Sequence, residues 1–448
     1  MFDLIVIGGG TAGVAAAYTA STHGLKTLLV EKKGILGGEM SGGLVVPMMN
    51  AGKSSINRDF FEKLVAEMSK INAQIEFQGN KGWFNPHILP FVLDNMLKNA
   101  GVTVLYDTYP IDFTLNSDKS CIKSVKFAKS TKSSVNALSE YNNLIYSDNI
   151  LPKNPLLKPE MLSEYIETRY VIDSTGNCEF GKILNCKFLE NGINENQLVS
   201  LRFCMGGVDV ERLAEFLKVT DSNREVTPIE VIGGKTHLST AFTWDKRESW
   251  ALYPIFKKAV ENGDLTEHEA NYFQIFTVAG SDGEIALNCP RYSELIDVFD
   301  EKIVKYTHEC LYRSVFRLAN FCKKYLKGFE NAYISAIADG IGVRCSRRIK
   351  GKYVYTEADL KSSKTFDNPV LEANYPIDVH KNDGSIEHVE KSYQLPLESL
   401  MSADFDNFFV AGRCLSADFK AQSALRVQQS CFSMGEGIAK YIDKLLNG

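Results

Sequence analysis

The chain opens Phe2-Asp3-Leu4-Ile5-Val6-Ile7-Gly8-Gly9-Gly10-Thr11-Ala12-Gly13, and this stretch decides the fold. An apolar run with strand propensity ends in glycines and gives way at once to the alanine-rich segment Ala12 to Ala20. Gly8, Gly10 and Gly13 fit G-x-G-x-x-G. The first glycine turns the chain, the second lets backbone approach a pyrophosphate, and the third allows close helix packing. The helix start then offers unpaired N–H groups and a positive dipole end to the phosphates. A second strand, Lys26 to Val30, ends at Glu31 with Lys32 beside it. An acid at about this distance from the first glycine accepts hydrogen bonds from the ribose of a bound dinucleotide.

Working outward, Leu36-Gly37-Gly38-Glu39-Met40-Ser41-Gly42-Gly43 is too glycine-rich for a regular element and reads as a loop near a ligand. Helical spacing over Ile88 to Asn99 and a short strand at Val102 to Leu105 complete a β-α-β-α-β alternation, the mark of a doubly wound α/β sheet. From about Asn116 the chain reads as a hairpin. Ser130 to Lys158 is polar, with Pro152 and Pro155, and is expected to be a mobile surface excursion. The sheet pattern returns at Tyr170 to Asp173, which runs into Ser174-Thr175-Gly176.

Beyond Lys187 the character changes. Strands are expected at Val199 to Met205 and Glu284 to Asn288, helices at Val210 to Leu217 and Asp264 to Tyr272, and a long amphipathic helix or helix pair over Leu295 to Leu326. The chain closes with strand Phe408 to Ala411, turn Gly412-Arg413 and helix Gln428 to Leu446, the strand being expected to rejoin the N-terminal sheet.

At 448 residues the chain exceeds one compact core, so two domains, interleaved in sequence, are expected. Hydrophobic residues make up 44% and charged residues 23%, as in globular proteins, and no apolar run is long enough to span a bilayer. A net charge of −5 and the lack of a basic stripe argue against nucleic acid. Ten cysteines without a Cys-x-x-Cys pair fit a reduced cytoplasmic protein and neither a disulfide scaffold nor a metal site.

Taken together, Gly8 to Gly13, Gly37-Gly38 with Ser41-Gly42, Asp173 to Gly176, Gly342-Val343-Arg344 with Ser346-Arg347-Arg348, and Val410 to Arg413 resemble the FAD-dependent oxidoreductase family, relatives of the fumarate reductase and succinate dehydrogenase flavoproteins. Ser423 to Val427, followed by Cys431 and Gly435, resembles that family's flavin-contacting helix start. The resemblance implies a Rossmann-like FAD-binding domain of glutathione-reductase type, split in sequence, with a mostly β substrate domain inserted. The expected division is 1–189 and 331–448 for the FAD domain and 190–330 for the substrate domain. FAD is expected to bind noncovalently, because no histidine lies between His23 and His87 to link it near Ser41.

The cofactor contacts expected are Gly8, Gly10, Thr11, Ala12, Gly13, Glu31, Lys32, Gly37, Gly38, Ser41, Gly42, Val104, Ser174, Thr175, Gly176, Gly412, Arg413, Arg426 and Val427. Three positions depart from the family pattern. Ser41 keeps the hydroxyl of a usual threonine, Asn177 replaces an aspartate, and Cys345 replaces a glutamate, removing a carboxylate from the presumed site. Arg344, Arg347 and Arg348 are catalytic candidates because guanidinium binds a carboxylate bidentately and stabilises developing negative charge. His380 is a candidate acid or base because an unperturbed imidazole titrates near neutrality.

The leading expectation is hydride transfer between flavin N5 and a small anionic substrate, with an unidentified electron donor or acceptor. Alternatives are a non-redox or RNA-modifying FAD enzyme and an FAD-binding subunit of a larger redox complex. A disulfide reductase would need a second nucleotide turn and a cysteine pair, and the chain has neither.

Overall fold

The computed structural model describes residues 1–52, 56–129, 164–190, 195–242, 250–381 and 385–448. The excursion expected over 130–158 lies outside the described residues.

Up to the middle of the chain the strands are β1 (Phe2–Ile7), β2 (Thr27–Val30), β3 (Gln74–Phe77), β4 (Asn80–Phe84), β5 (Thr103–Leu105), β6 (Thr108–Leu115), β7 (Ile122–Lys129) and β8 (Tyr165–Asp173). The inserted region adds β9 (Phe203–Gly206), β10 (Ile229–Ile232), β11 (Lys235–Phe242), β12 (Phe273–Thr277), β13 (Ile285–Leu287) and β14 (Tyr333–Ile337). Two short pairs, β15 (Pro369–Ala373) with β18 (Tyr393–Pro396) and β16 (Ile377–Val379) with β17 (Ser385–Glu387), precede β19 (Phe408–Val410).

The first sheet has the order β5-β2-β1-β8-β7-β6, with β19 also paired to β8. Its β5, β2, β1, β8 and β19 run parallel, while β7 meets β8 and β6 antiparallel. Strand β8 is therefore the switch. Its C-terminal half continues the parallel sheet, and its N-terminal half extends into the hairpin. Register then builds the site: Val30 lies beside Ile7, Ile7 beside Asp173, and Asp173 beside Val410. The turns that follow these residues open at one sheet edge, where the carboxyl ends of parallel strands form a ligand crevice.

The first helix (Thr11–Thr22) packs against the C-terminal helix (Gln428–Asn447). Small residues make that approach possible. A Cβ on Gly435 would stand 2.1 Å from the Ala12 carbonyl oxygen, and Ala15, Ala16, Ala17 and Ala20 are fully buried on the facing helix.

The second sheet, β10-β11-β12-β13-β9-β14, is antiparallel throughout. Its core includes Phe256, Phe273, Leu311, Val315 and Phe321, so the long amphipathic helix (Glu301–Tyr325) covers it. Asp300 starts that helix by accepting N–H bonds from Lys302 and Ile303. Because β14 pairs with β9, the inserted sheet takes in residues beyond the expected boundary at 330.

Several element readings change. The helix expected over 264–272 is instead Tyr253–Glu261, closed by Gly263 at φ +75°, with only a short 3-10 turn at Glu269–Asn271. Strand β8 starts five residues before the expected Tyr170, because its polar first half alternates outward as a hairpin strand does. The expected strand over 199–205 forms a ladder only from Phe203. Ser200 makes single bridges to Gly342 and Arg291, which draws three arginine-bearing segments together.

Candidate active site

A cleft of about 600 Å³ runs along the carboxyl edge of the first sheet and under the second. At one end Gly8, Gly10, Thr11 and Ala12 line it. Gly8 has φ +101°, and a Cβ there would stand 2.8 Å from Ser174 backbone atoms; a Cβ on Gly13 would stand 1.9 Å from the Gly8 carbonyl oxygen. Neither position accepts a side chain without moving backbone. Gly10 caps the first helix without a side-chain acceptor, and the first turn carries no acid. The N–H groups and positive end of that helix are thus left for an anionic ligand.

Glu31 is 8% exposed at the cleft wall. Its Oε2 accepts the Gly9 N–H at 2.6 Å and its Oε1 the Lys33 N–H at 2.8 Å. Burial raises its pKa above the usual carboxylate value, against the lowering effect of those two bonds. Hydroxyl donors from a ribose would satisfy its remaining lone pairs. Lys32 and Lys33 also line the cleft, and Lys33 Nζ reaches Asp339 Oδ2 at 2.8 Å.

The middle is shaped by hydroxyls that serve the backbone. Ser174 Oγ donates to the carbonyls of Ile7 and Gly8, and Thr175 Oγ1 donates to Asp173. Asp173, fully buried, also accepts the N–H groups of Phe180 and Gly181. Together they fix the Gly176-Asn177 turn, which lines the cleft with Gly38.

At the far end stand Gly412, Arg413, Arg426, Arg344 and Arg202, with Gln428 and Cys431. Arg413 Nη2 donates to Asn177 Oδ1 at 2.7 Å, and Nη1 lies 3.7 Å from Glu39. Asn177 thus keeps the acceptor of the aspartate it replaces. Arg344 donates to the Leu198 carbonyl at 2.6 Å and to Ser200 Oγ at 3.1 Å. Arg202 donates to the Val46 carbonyl, Arg426 to Asp378, and Arg291 stacks over the Tyr272 ring with 3.3 Å from Cζ to the centroid.

The guanidiniums of Arg202, Arg291, Arg344 and Arg426 repel one another. Burial, and then Arg291, Arg426 and Arg202, depress the Arg344 pKa well below its ordinary value. Burial lowers Arg202 to about 10, with Arg291 adding to the effect. Asp378 answers part of the excess: burial alone would raise its pKa, but His380, Arg426 and Arg291 overcome that and lower it strongly.

Several expected contacts lie elsewhere. Gly37 and Ser41 fold the loop from inside, where Ser41 Oγ donates to the Leu36 carbonyl at 2.6 Å, and Gly42 packs on Asp339. Val104 is buried in the core, and Thr108, Tyr109 and Pro110 form the wall in its place. Val427 is buried at the start of the C-terminal helix. Arg347 leaves the cleft to stack on Phe299 at 3.6 Å. Arg348 is 1% exposed, ion-paired with Glu195 and bonded to the Ala417 carbonyl. Cys345 is buried and burial raises its thiol pKa, so it replaces no acid functionally. His380 is held to Asp378 at 2.8 Å, and burial plus Arg291 and Arg344 depress its pKa well below the usual value. Its imidazole is neutral at pH 7, and an ionised Asp378 fixes the proton on Nε2.

Sequence reasoning missed Arg202 and Arg291. Arg202 did carry a signal: a lone charge inside the apolar run Val199 to Met205.

The fold and cleft define a dinucleotide-binding flavoprotein. The chain belongs to the family described as FAD dependent oxidoreductase, which matches residues 3–139 and 158–442. It is an FAD-dependent enzyme, and the glycine cradle, the uncapped helix start and Glu31 fit the adenosine diphosphate half of that cofactor. Over 44 residues it is 43% identical to a thiamine thiazole synthase of Sulfolobus acidocaldarius, a match covering 10% of this chain and 17% of that relative. A geranylgeranyl bacteriochlorophyll reductase-like structure from Thermoplasma acidophilum aligns over all of this chain and 79% of its own at 12% identity and TM-score 0.46. A flavoprotein/dehydrogenase from Cytophaga hutchinsonii aligns over all of this chain and 79% of its own at 12% identity and TM-score 0.44. Among the described residues no helix is long and apolar enough to cross a membrane.

Proposed function

We propose that this enzyme oxidises or reduces a small anionic substrate held by Arg202, Arg291, Arg344 and Arg426. The supporting observation is the arginine excess at the end of the cleft opposite the adenosine cradle, where Asp378 and Glu39 are the nearby carboxylates. When bound, FAD supplies hydride chemistry at its N5 position; it binds noncovalently.

The protein's own residues do the rest. Arg344 is oriented by Leu198 and Ser200, so its guanidinium presents a fixed edge to the cleft. A carboxylate bound there takes charge-assisted hydrogen bonds and cancels repulsion that the empty pocket carries. Arg413, locked by Asn177, sets a cation beside Gly412, where it opposes negative charge developing on reduction. Neutral His380 acts through Asp378 as a positioning residue for Arg426 and does not donate a proton as imidazolium.

Titration of the flavin-loaded protein with small carboxylates, followed by flavin absorbance, tests this. Saturable spectral shifts that weaken in Arg344→Gln are expected. The proposal fails if no carboxylate perturbs the flavin, or if Arg344→Gln responds as the parent does.

A further inference from the structure

Away from the cleft, three side chains of different chemistry converge where the second sheet meets the segment before helix Leu89–Ala100. The ligand atoms of His87, Cys204 and Glu284 all lie within 4.8 Å of one another. We propose that these residues bind a zinc ion.

The placement is built by the sheet. Cys204 sits on β9, opposite Ala286 of β13 and Ala336 of β14, and its side chain is fully buried as a free thiol. Glu284 immediately precedes β13, and Ser335 on β14 donates to Glu284 Oε1 at 2.7 Å. That bond orients the carboxylate from outside, as hydrogen-bond donors behind metal ligands do. His87 enters from the other side, its Nε2 already 3.1 Å from Glu284 Oε1. Asn85 anchors its loop by donating to the Ala279 carbonyl and Ser281 Oγ while accepting the His87 N–H.

The donor set is one nitrogen, one sulfur and one oxygen, which suits zinc and leaves a fourth position for water. Tetrahedral zinc at ordinary bond lengths holds such donor atoms about 3.4–3.6 Å apart. His87 Nε2 and Glu284 Oε1, now 3.1 Å apart in a hydrogen bond, would separate by about 0.3 Å to take a metal between them. The thiol, at most 4.8 Å from the other two donors, must draw in by up to about 1.2–1.4 Å, losing its proton to solvent as the metal binds. His87 is 36% exposed and Glu284 12%, so the ion enters from the His87 side. The site would pin β9 to the segment before Leu89. Two residues along the same face of β9's chain, about 7 Å away, stands Arg202. A metal here therefore steadies one wall of the cleft without entering it.

The test uses the full chain with its flavin, stripped with a chelator, dialysed against zinc chloride and desalted, with zinc measured by elemental analysis. The parent is expected to retain one zinc per chain more than His87→Ala, and Glu284→Gln and Cys204→Ala are expected to match His87→Ala. Cobalt substituted in the parent should show a thiolate charge-transfer band that Cys204→Ala lacks. Equal zinc in the parent and in His87→Ala overturns the proposal. His87 is partly exposed, so its variant folds and keeps flavin, and flavin content checks this independently of any turnover.

Discussion

Replacing Arg344 with glutamine should move stability and anion affinity in opposite directions. Arg344 spends two donors on the protein, at 2.6 Å to the Leu198 carbonyl and 3.1 Å to Ser200 Oγ. A glutamine amide keeps one of them, so the loss is about one hydrogen bond from a charged donor, ~1.5–3 kcal/mol. Against this stands repulsion from Arg291, Arg426 and Arg202. Two unit charges about 8 Å apart repel by about 2 kcal/mol at an effective dielectric near 20. One pair at such a separation is enough to offset the lost bond. The substrate-free variant should therefore melt at or above the parent temperature in a calorimetric scan. Its affinity for a small carboxylate, read from flavin absorbance, should fall about 10- to 150-fold, the worth of one charge-assisted bond. A variant that melts well below the parent would show that Arg344 is a structural cation, and an unchanged affinity would show that the anion sits elsewhere.

The other expectations follow from the same geometry. Gly13→Ala places a methyl 1.9 Å from the Gly8 carbonyl, so purified protein should carry no flavin absorbance. Glu31→Gln turns an acceptor that holds two N–H groups into one that holds a single N–H; FAD affinity measured by fluorescence quenching should drop at least tenfold, consistent with ~1.5–3 kcal/mol for such bonds. Arg348→Ala removes a 1% exposed side chain with its Glu195 and Ala417 bonds and should cost about 2–4 kcal/mol in denaturant titration, whereas Arg347→Ala should leave carboxylate affinity unchanged. The His380 pKa is depressed from 6.5 on folding, chiefly by burial; the unfolded chain therefore binds more protons below about that pH, and stability falls on acidification from neutral. His380→Gln should flatten that slope between pH 6.5 and 5, leaving the part due to His237, which burial also depresses. A slope unchanged in the variant would show that His380 is not desolvated.

Much of the cofactor half was legible because its parts are local. Gly8 to Gly13 carry their own turn, and Glu31 follows directly on β2, so sequence order and spatial order coincide. The return of Phe408–Val410 to the first sheet was readable for the same reason, as a strand followed by a glycine turn. The arginine end of the cleft is different, because its arginines come from segments joined by long-range bridges, Ser200 to Gly342 and Ser200 to Arg291. Nothing local distinguishes Arg291, which stacks on Tyr272 close to Arg344, from Arg347, which stacks on Phe299. Spacing within 344–348 suggested three cations acting together, yet backbone direction sends one into the cleft, one onto an aromatic ring and one into the core.

That separation explains the role of charge in this fold. Arg348 is neutralised locally by Glu195, and Arg413 is held in place by the Asn177 amide oxygen with Glu39 3.7 Å away. Arg348, the cation that serves packing, thus has its carboxylate already in place. Arg202, Arg291 and Arg344 depress one another's charged forms, with Asp378 answering part of the charge, while carbonyls, a hydroxyl and an aromatic ring orient them. On the proposed reading, such an arrangement costs stability in the substrate-free enzyme and a bound anion relieves it. The relief grows with the charge delivered, so a substrate with two carboxylates should gain more from this pocket than its mono-amide. Affinities for such a pair that are equal at low and high salt would show that shape, and not this stored repulsion, selects the ligand.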